Sequence, residues 1–194
     1  MSPVVDGVNI SHWSGATYFP AEDTLLLLKS VKPGSGRFLD VGTGTGIVGI
    51  RAGLIGYEVV STDMDRNALR NARANAAANG VHISFIECDL LSCFSGSFSV
   101  IAFNPPYLPE DGVPDRQLAG GPSGVDVAIE FMREAAQLAS PDGEVLVVIS
   151  SLGDTDAFER SCSEEWFLEE KSTARLGFEK LILYSGKLRQ PGPK

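Results

Sequence analysis

The sequence has few cations relative to its acids, and this limits its partners. Lysine and arginine together number 16, against 25 aspartates and glutamates, so the formal net charge is -9. Tight binding to nucleic acid through phosphate contacts needs a surplus of lysine and arginine on some face of the protein. A local basic patch is compatible with these totals, but the balance disfavours nucleic acid as a partner.

Residues that bind metals or form disulfides are also scarce. The three cysteines, Cys88, Cys93 and Cys162, include no C-x-x-C pair, and His12 and His82 are the only histidines. Such a set predicts no metal site. We interpret the cysteines as buried or incidental thiols.

Targeting and membrane segments are not indicated either. No charged segment followed by an apolar one marks the N-terminus, and the longest aliphatic runs, at 25–28 and 145–149, are too short to cross a bilayer. We therefore expect a cytoplasmic protein with reduced thiols and no membrane contact. A hydrophobic share of 43% in 194 residues predicts a single domain over 1–194, with a lead-in at 1–20 and a frayed tail at 190–194.

Apolar runs and helical patterns alternate along most of the chain. Strand-like runs occupy residues 37–41, 58–62, 83–87, 99–104 and 144–150. Helical patterns occupy residues 46–54, 66–79 and 125–139. The pattern at 66–79 is the clearest, because Asp65 is a good N-cap and Gly80 follows its end. This alternation predicts a parallel sheet with right-handed crossovers and helices on both faces.

The end of the chain departs from this alternation. After a helical pattern at 154–165, two strand-like runs at 166–171 and 178–184 follow one another through Gly177. Two strands with no helix between them predict an antiparallel hairpin. The expected fold is therefore α/β, with one Rossmann-like, doubly wound sheet of seven strands that is mostly parallel and ends in an antiparallel hairpin.

A glycine-rich turn follows the first predicted strand and opens a helix, and glycines there let a ligand approach the backbone. Gly44, Gly46 and Gly49 fit the G-x-G-x-x-G pattern, and Asp63 follows near the place of the acid that binds ribose in dinucleotide folds. A nicotinamide-dependent dehydrogenase is one interpretation of this pattern. A tight turn without any ligand is another.

The same turn also fits a second cofactor. Gly42, Gly44 and Gly46 form G-x-G-x-G after Asp40, which is the S-adenosylmethionine signature of class I methyltransferases. A dinucleotide brings an anionic pyrophosphate that prefers helix-end amides and no neighbouring carboxylate. S-adenosylmethionine brings an ammonium and a sulfonium, which Asp40 attracts. The glycines alone favour neither the dehydrogenase nor the methyltransferase interpretation clearly.

Acidic residues recur at the ends of successive predicted strands, where ligands bind in open α/β sheets. Asp63 can accept both ribose hydroxyls, and Asp89 can accept from the adenine amino group. The Leu90 backbone N–H can donate a hydrogen bond to an adenine ring nitrogen. Each acid alone is more often a helix cap or turn residue, but acids after three consecutive strands, with Asp40 the first, favour a cofactor site.

The sequence Asn104-Pro105-Pro106-Tyr107 directly follows the fourth predicted strand. A strand stopped by a proline turn explains the composition but not the position beside the glycine turn. The Asn104 carbonyl and a backbone carbonyl fixed by the prolines can accept both hydrogens of one planar NH₂ group, while Tyr107 packs against its plane. The nitrogen of such a group is a poor nucleophile, so holding it in the right orientation is the main way to accelerate its reaction. These four residues are the predicted catalytic residues.

Together these motifs resemble the HemK/PrmC-like protein glutamine methyltransferases, a family within class I. Residues 18–27 are similar to the family's lead-in helix, and Pro20-Ala21-Glu22-Asp23-Thr24 is closest to its archaeal and eukaryotic branch. Residues 120–124 match a Gly-Gly-x-x-Gly loop that shapes the substrate mouth, although Asp126 stands where a glutamate is usual. The resemblance implies the following cofactor contacts: Thr24, Gly42, Asp63, Asp89, Leu90 and Asn104.

The resemblance also implies a substrate and a partner. Bacterial members carry a helical substrate-binding domain before the core, whereas about twenty residues precede it here. The short branch methylates the glutamine of the Gly-Gly-Gln loop in the class I release factor and relies on a small zinc-binding activator subunit. The alternatives are an adenine N6-methyltransferase acting on RNA or DNA, which holds an amine after base flipping, and a cofactor-binding module without catalysis.

Overall fold

The computed structural model describes residues 3–14, 17–108 and 119–189. The strands are β1 (Val4–Val5), β2 (Val8–Asn9), β3 (Arg37–Val41), β4 (Glu58–Asp63), β5 (Ile83–Glu87), β6 (Phe98–Phe103), β7 (Ala139–Ser150), β8 (Trp166–Leu176) and β9 (Glu179–Leu188). The helices are α1 (Glu22–Ser30), α2 (Ile47–Leu54), α3 (Arg66–Ala78), α4 (Asp126–Ala135) and α5 (Thr155–Cys162). The tail predicted to fray, 190–194, lies outside the described residues.

The main sheet has seven strands in the order β5-β4-β3-β6-β7-β9-β8. The first five are parallel, and β9 runs antiparallel to both β7 and β8. This confirms the predicted α/β fold and its C-terminal hairpin. The strand order reverses between β3 and β6, and the crevice at such a reversal is where open α/β sheets bind ligands.

Helix and strand limits follow local chemistry where strong signals exist. An Asp65 side-chain oxygen accepts a hydrogen bond from the Asn67 backbone N–H at 2.8 Å and caps α3, while Gly80 ends it with a φ of 68°. Helix α4 ends earlier than predicted, and β7 begins at Ala139. The reason is a hydrogen bond of 2.8 Å from the Phe98 N–H to the Leu138 carbonyl, which draws this segment to the start of β6.

Helices cover both faces of the sheet, as predicted. On one face α1, α2 and α3 bury Leu27, Phe38 and Ile50, and on the other α4 and α5 bury Phe131 and Phe158. Full burial of each such side chain contributes about 1.5–3 kcal/mol relative to exposure. These two apolar layers hold the sheet rigidly, so the carboxyl ends of its central strands have fixed positions.

An asparagine ladder, which no sequence pattern predicted, holds the N-terminal segment against α3. Its members are Asn71, Asn75 and Asn79. The side-chain carbonyl of Asn75 accepts a hydrogen bond from the His12 N–H, and its NH₂ group donates to the carbonyls of His12 and Thr45, all at 2.8–2.9 Å. The side-chain carbonyl of Asn79 accepts from the Asn9 N–H, and its NH₂ group donates to the Asn9 carbonyl. Residues four apart share one helix face, so the ladder places the N-terminal segment beside the glycine turn.

The cysteines depart in part from expectation. Cys88 and Cys93 form a disulfide across the turn after β5, with their Cα atoms 6.2 Å apart, so the prediction of reduced thiols was wrong for this pair. The turn brings the two side chains together although their spacing matches no standard motif. Cys162 is a buried free thiol. Within the described ranges, no helix is long and apolar enough to span a membrane, and no cluster of three acidic, histidine or cysteine side chains is placed to hold a metal ion.

Candidate active site

A cavity of about 830 Å³ opens at the carboxyl ends of the central parallel strands. Such a volume is within the range of ligand sites. The structure brings nearly all the predicted site residues to this one cavity. Those that line it are Thr24, Asp40, Gly42, Gly44, Asp63, Asp89, Leu90, Asn104, Pro105, Pro106 and Tyr107.

Gly46 is the predicted site residue that lies outside the cavity lining. It precedes α2 with a φ of 86°, and a Cβ there would lie 2.9 Å from the Cβ of Ala72. Glycine therefore serves the left-handed turn and the close packing of α3 against it. A contact between Gly46 and a cofactor stays a prediction.

Asp63 organises the glycine turn from the end of β4. One carboxylate oxygen accepts from the Gly44 N–H at 3.0 Å and the other from the Asp65 N–H at 2.9 Å. Burial raises the pKa of the Asp63 carboxyl above its ordinary value. Each oxygen keeps a second lone pair, so Asp63 can still accept from ribose hydroxyls.

Asp40 lies beneath the turn at the end of β3 and is almost completely buried. One of its oxygens accepts from the Thr43 hydroxyl at 2.5 Å, the Gly49 N–H at 3.0 Å and the Ser61 hydroxyl at 3.3 Å. Burial raises the pKa of Asp40 to about 6, although these donors oppose the shift. Asp40 thus joins β3, the turn and α2, and it is one of the residues that line the cavity.

The turn after β5 carries the residues predicted to meet adenine. Asp89 is exposed at the cavity, and Leu90 has a φ of 44°, an unusual conformation for a residue with a side chain. Such backbone strain costs on the order of 1 kcal/mol and concentrates at ligand sites. Glu134 of α4 accepts from the Leu91 N–H at 2.8 Å and fixes the turn. The contacts of Asp89 and Leu90 with adenine stay predictions.

The Asn-Pro-Pro-Tyr segment follows β6 at the cavity wall. It is held by Asp23, which was not among the predicted site residues. The Asn104 side-chain NH₂ donates to Asp23 at 3.0 Å, and the Tyr107 hydroxyl donates to the same Asp23 oxygen at 3.0 Å. The Asn104 carbonyl oxygen is buried without a hydrogen-bond partner. A buried acceptor left unpaired is costly, so this oxygen marks a place where a ligand donor belongs.

The glycine loop at 120–124 packs behind the prolines that line the cavity. A Cβ on Gly120 would lie 2.8 Å from the Pro106 carbonyl oxygen, which explains the glycine there. One Asp126 oxygen accepts from both the N–H and the hydroxyl of Ser123 at 2.7 Å. The shorter acid thus fastens the loop from the first turn of α4.

Charge distinguishes between the two cofactor interpretations. The acids that line the cavity are Asp23, Asp40, Asp63, Asp65, Asp89, Glu130 and Glu179. Among the described residues the lining includes no lysine or arginine. An acidic wall repels a pyrophosphate and attracts a ligand with an ammonium and a sulfonium. The sequence offered no signal for Glu130 or Glu179, because they come from α4 and β9, far from the motifs.

Comparison with known proteins agrees with this geometry. Residues 21–168 match the family profile described as methyltransferase small domain. The chain belongs to this family. It is 34% identical over 175 residues to the putative protein N5-glutamine methyltransferase of Methanocaldococcus jannaschii, a match that covers 86% of this chain and 89% of the relative.

A second relative agrees with placing this methyltransferase among HemK/PrmC-like proteins, and a solved structure agrees with its fold. The release factor glutamine methyltransferase of Deinococcus radiodurans is 42% identical over 123 residues, which span 57% of this chain but only 44% of that protein. The E. cuniculi Mtq2-Trm112 complex, described as responsible for methylation of the eRF1 termination factor, aligns with a TM-score of 0.72 at 23% identity. The alignment covers 89% of this chain and 99% of the matched one, and at this identity it supports the fold.

The residues present fit S-adenosylmethionine as the cofactor of this methyltransferase. The acidic lining suits its cationic groups, and Asp63 retains acceptor capacity for a ribose. The turn approaches the cavity through Gly42, whose φ is 60° and whose Cβ would lie 2.9 Å from the Phe103 ring. When bound, the cofactor supplies an electrophilic methyl group.

The raised pKa of Asp40 predicts a pH dependence of cofactor affinity. In the free protein the neutral Asp40 is favoured by folding, so its contribution to stability is present below about pH 3.8 and is lost as pH rises through about 6. A cationic cofactor favours the ionised form. If binding lowers the pKa of Asp40 by one unit from about 6, the Kd of S-adenosylmethionine is expected to fall about fivefold between pH 5 and pH 7.

Calorimetry in buffers of different ionisation enthalpy measures both the affinity and the accompanying proton release. Asp40→Asn is the matched variant, because it keeps the shape and removes the titration. Its affinity is expected to be weaker and nearly independent of pH over this range. A wild-type affinity that does not change with pH would show that Asp40 is not coupled to the ligand.

Proposed function

We propose that this enzyme transfers a methyl group from S-adenosylmethionine to the side-chain amide nitrogen of a glutamine, in the Gly-Gly-Gln loop of the class I release factor. The observation that carries the proposal is the unpaired, buried carbonyl oxygen of Asn104 at the cavity wall. It is a single acceptor suited to an NH₂ donor. The names of the Methanocaldococcus and Deinococcus relatives support glutamine as the acceptor.

The proposed mechanism is mainly one of orientation. The Asn104 carbonyl and a backbone carbonyl of the proline pair accept the two amide hydrogens, which turns the nitrogen lone pair out of its conjugated plane. Tyr107, held at its hydroxyl by Asp23, packs against the flat amide. Reacting groups that are fixed in the reactive orientation gain effective molarities of about 10⁵ M or more. The proton leaves after transfer, so a strong base is not required.

The proposal also includes a partner subunit and a cellular location. The Mtq2 neighbour was solved as a complex with Trm112, and we propose a similar small, zinc-binding activator for this enzyme. Strands β5 and β8 end the sheet, and an unpaired sheet edge is a feature to which a partner strand can add. A release-factor substrate places the enzyme in the cytoplasm, with translation.

The test is methyl transfer from labelled S-adenosylmethionine to purified release factor, with and without an added activator. We expect label on the wild-type factor and none on a factor whose loop glutamine is replaced by alanine. Mass spectrometry then assigns the methyl group to the amide nitrogen. Label in RNA or DNA of a lysate but never in protein would contradict the proposal and favour adenine methylation, which the acidic cavity wall opposes.

A further inference from the structure

Asp23 is the most heavily hydrogen-bonded carboxylate at the cavity. It lies in the first turn of α1 and is 2% exposed. One oxygen accepts from the Tyr18 hydroxyl at 2.9 Å, the Asn104 side-chain NH₂ at 3.0 Å and the Tyr107 hydroxyl at 3.0 Å. The other accepts from the N–H and the hydroxyl of Thr24. A buried acid is thus satisfied by donors from three segments of the chain.

We propose that Asp23 is a positioning residue that sets which way the Asn104 amide faces. A carboxylate only accepts hydrogen bonds, so the NH₂ end of Asn104 must point at Asp23. The carbonyl end is then left for the substrate, as its unpaired, buried state indicates. A flipped amide would set two acceptors against each other and present a donor to the substrate NH₂, which also donates.

The charge on Asp23 has a second effect on the same amide. A hydrogen bond to a carboxylate is about twice as strong as a neutral one. It draws electron density through the conjugated amide towards the Asn104 carbonyl, which becomes a better acceptor for the substrate. Through Tyr107, Asp23 also fixes the ring that packs on the substrate. The inference rests on the proposed function only in needing an acceptor with an NH₂ group.

The simplest alternative is that Asp23 merely stabilises the start of α1. Acids near a helix N-terminus contribute typically 0.3–1 kcal/mol by interaction with the helix dipole. The N-cap residue of α1, Ala21, has no side-chain cap, and the donors to one Asp23 oxygen all come from outside the helix. A test must therefore separate orientation of Asn104 from stability.

The first test is Asp23→Asn, which keeps the shape but lets either end of the new amide face Asn104. We expect kcat to fall about 100-fold, as for a small misplacement of a reacting group, with the Kd of S-adenosylhomocysteine changed less than about threefold. Glu144→Gln is the matched control, because Glu144 accepts from Lys171 and Ser185 away from the cavity. It is expected to change the melting temperature and leave kcat near wild type.

The second test exchanges the two side chains. Asn104→Asp alone places two carboxylates about 3 Å apart, at the position of the 3.0 Å hydrogen bond, and is expected to be nearly inactive. The double variant Asp23→Asn with Asn104→Asp restores a donor facing an acceptor, and we expect at least a tenfold recovery of kcat over Asn104→Asp. This comparison also decides the question if Asp23→Asn alone fails to fold.

A third measurement does not depend on the substrate. In ¹⁵N-labelled protein the Asn104 side-chain NH₂ signals, assigned by their loss in Asn104→Ala, are expected downfield and slow to exchange, and both properties are lost in Asp23→Asn. If wild type methylates no release factor, the proposed function fails while this readout still tests Asp23. Unchanged signals, wild-type kcat in Asp23→Asn, or no recovery in the double variant would each overturn the inference.

Discussion

Asn104→Ala is expected to lower kcat for methyl transfer about 10³-fold. Removing one preorganised hydrogen-bonding group at a reacting centre costs about 10²–10³ in rate. Here the lost carbonyl is one of the two acceptors proposed to turn the substrate nitrogen, and Asp23 loses a donor as well. Because the chemical step is slow for an amide, the loss should fall on kcat rather than on KM for the protein substrate.

Single-turnover methylation of the release factor measures the chemical step directly, and calorimetry with S-adenosylhomocysteine checks that the cofactor still binds. Asn79→Ala is a matched control, because Asn79 makes structural hydrogen bonds to Asn9 far from the reacting atoms. It should reduce thermal stability without a comparable loss of rate. A kcat within tenfold of wild type for Asn104→Ala would show that orientation by this residue is not the source of catalysis.

Local signals predicted most of the fold because they act over short distances. Asp65 and Gly80 fixed the ends of α3 through one side-chain hydrogen bond and one left-handed residue. The C-terminal strands were predicted too short, ending at 171 and 184 where the structure extends to Leu176 and Leu188. Outer strand β8 is mostly exposed, so its second half has no alternating apolar pattern, and pairing with β9 extends it instead.

The site was predictable where its residues follow strand ends and unpredictable where contacts are long-range. Strand ends meet at one edge of a parallel sheet, so Asp40, Asp63 and Asp89 could be expected together. Asp23 is 81 residues from Asn104 in sequence, and no local pattern links an acid on α1 with an amide after β6. The sequence therefore predicted the Asn104-Pro105-Pro106-Tyr107 segment as a site but not the carboxylate that accepts hydrogen bonds from it.

Asp63→Ala is expected to raise the Kd of S-adenosylhomocysteine about 100-fold. The variant removes the predicted acceptor for ribose and also frees the Gly44 and Asp65 N–H groups that hold the glycine turn. Hydrogen bonds to a charged group contribute about 1.5–3 kcal/mol each, so loss of one to two of them accounts for this factor. Saturating cofactor should recover most of kcat, because the variant leaves Asn104-Pro105-Pro106-Tyr107 unchanged.

The control for Asp63→Ala must separate lost affinity from a loosened fold. Asp154 caps α5 by accepting from the Ala157 N–H at 2.9 Å and lies outside the cavity lining. Asp154→Ala should cost about 1 kcal/mol of stability, as lost helix caps do, without changing the Kd. If both variants weaken binding equally, Asp63 acts through stability alone; if only Asp63→Ala does, and excess cofactor recovers the rate, its carboxylate holds the ligand.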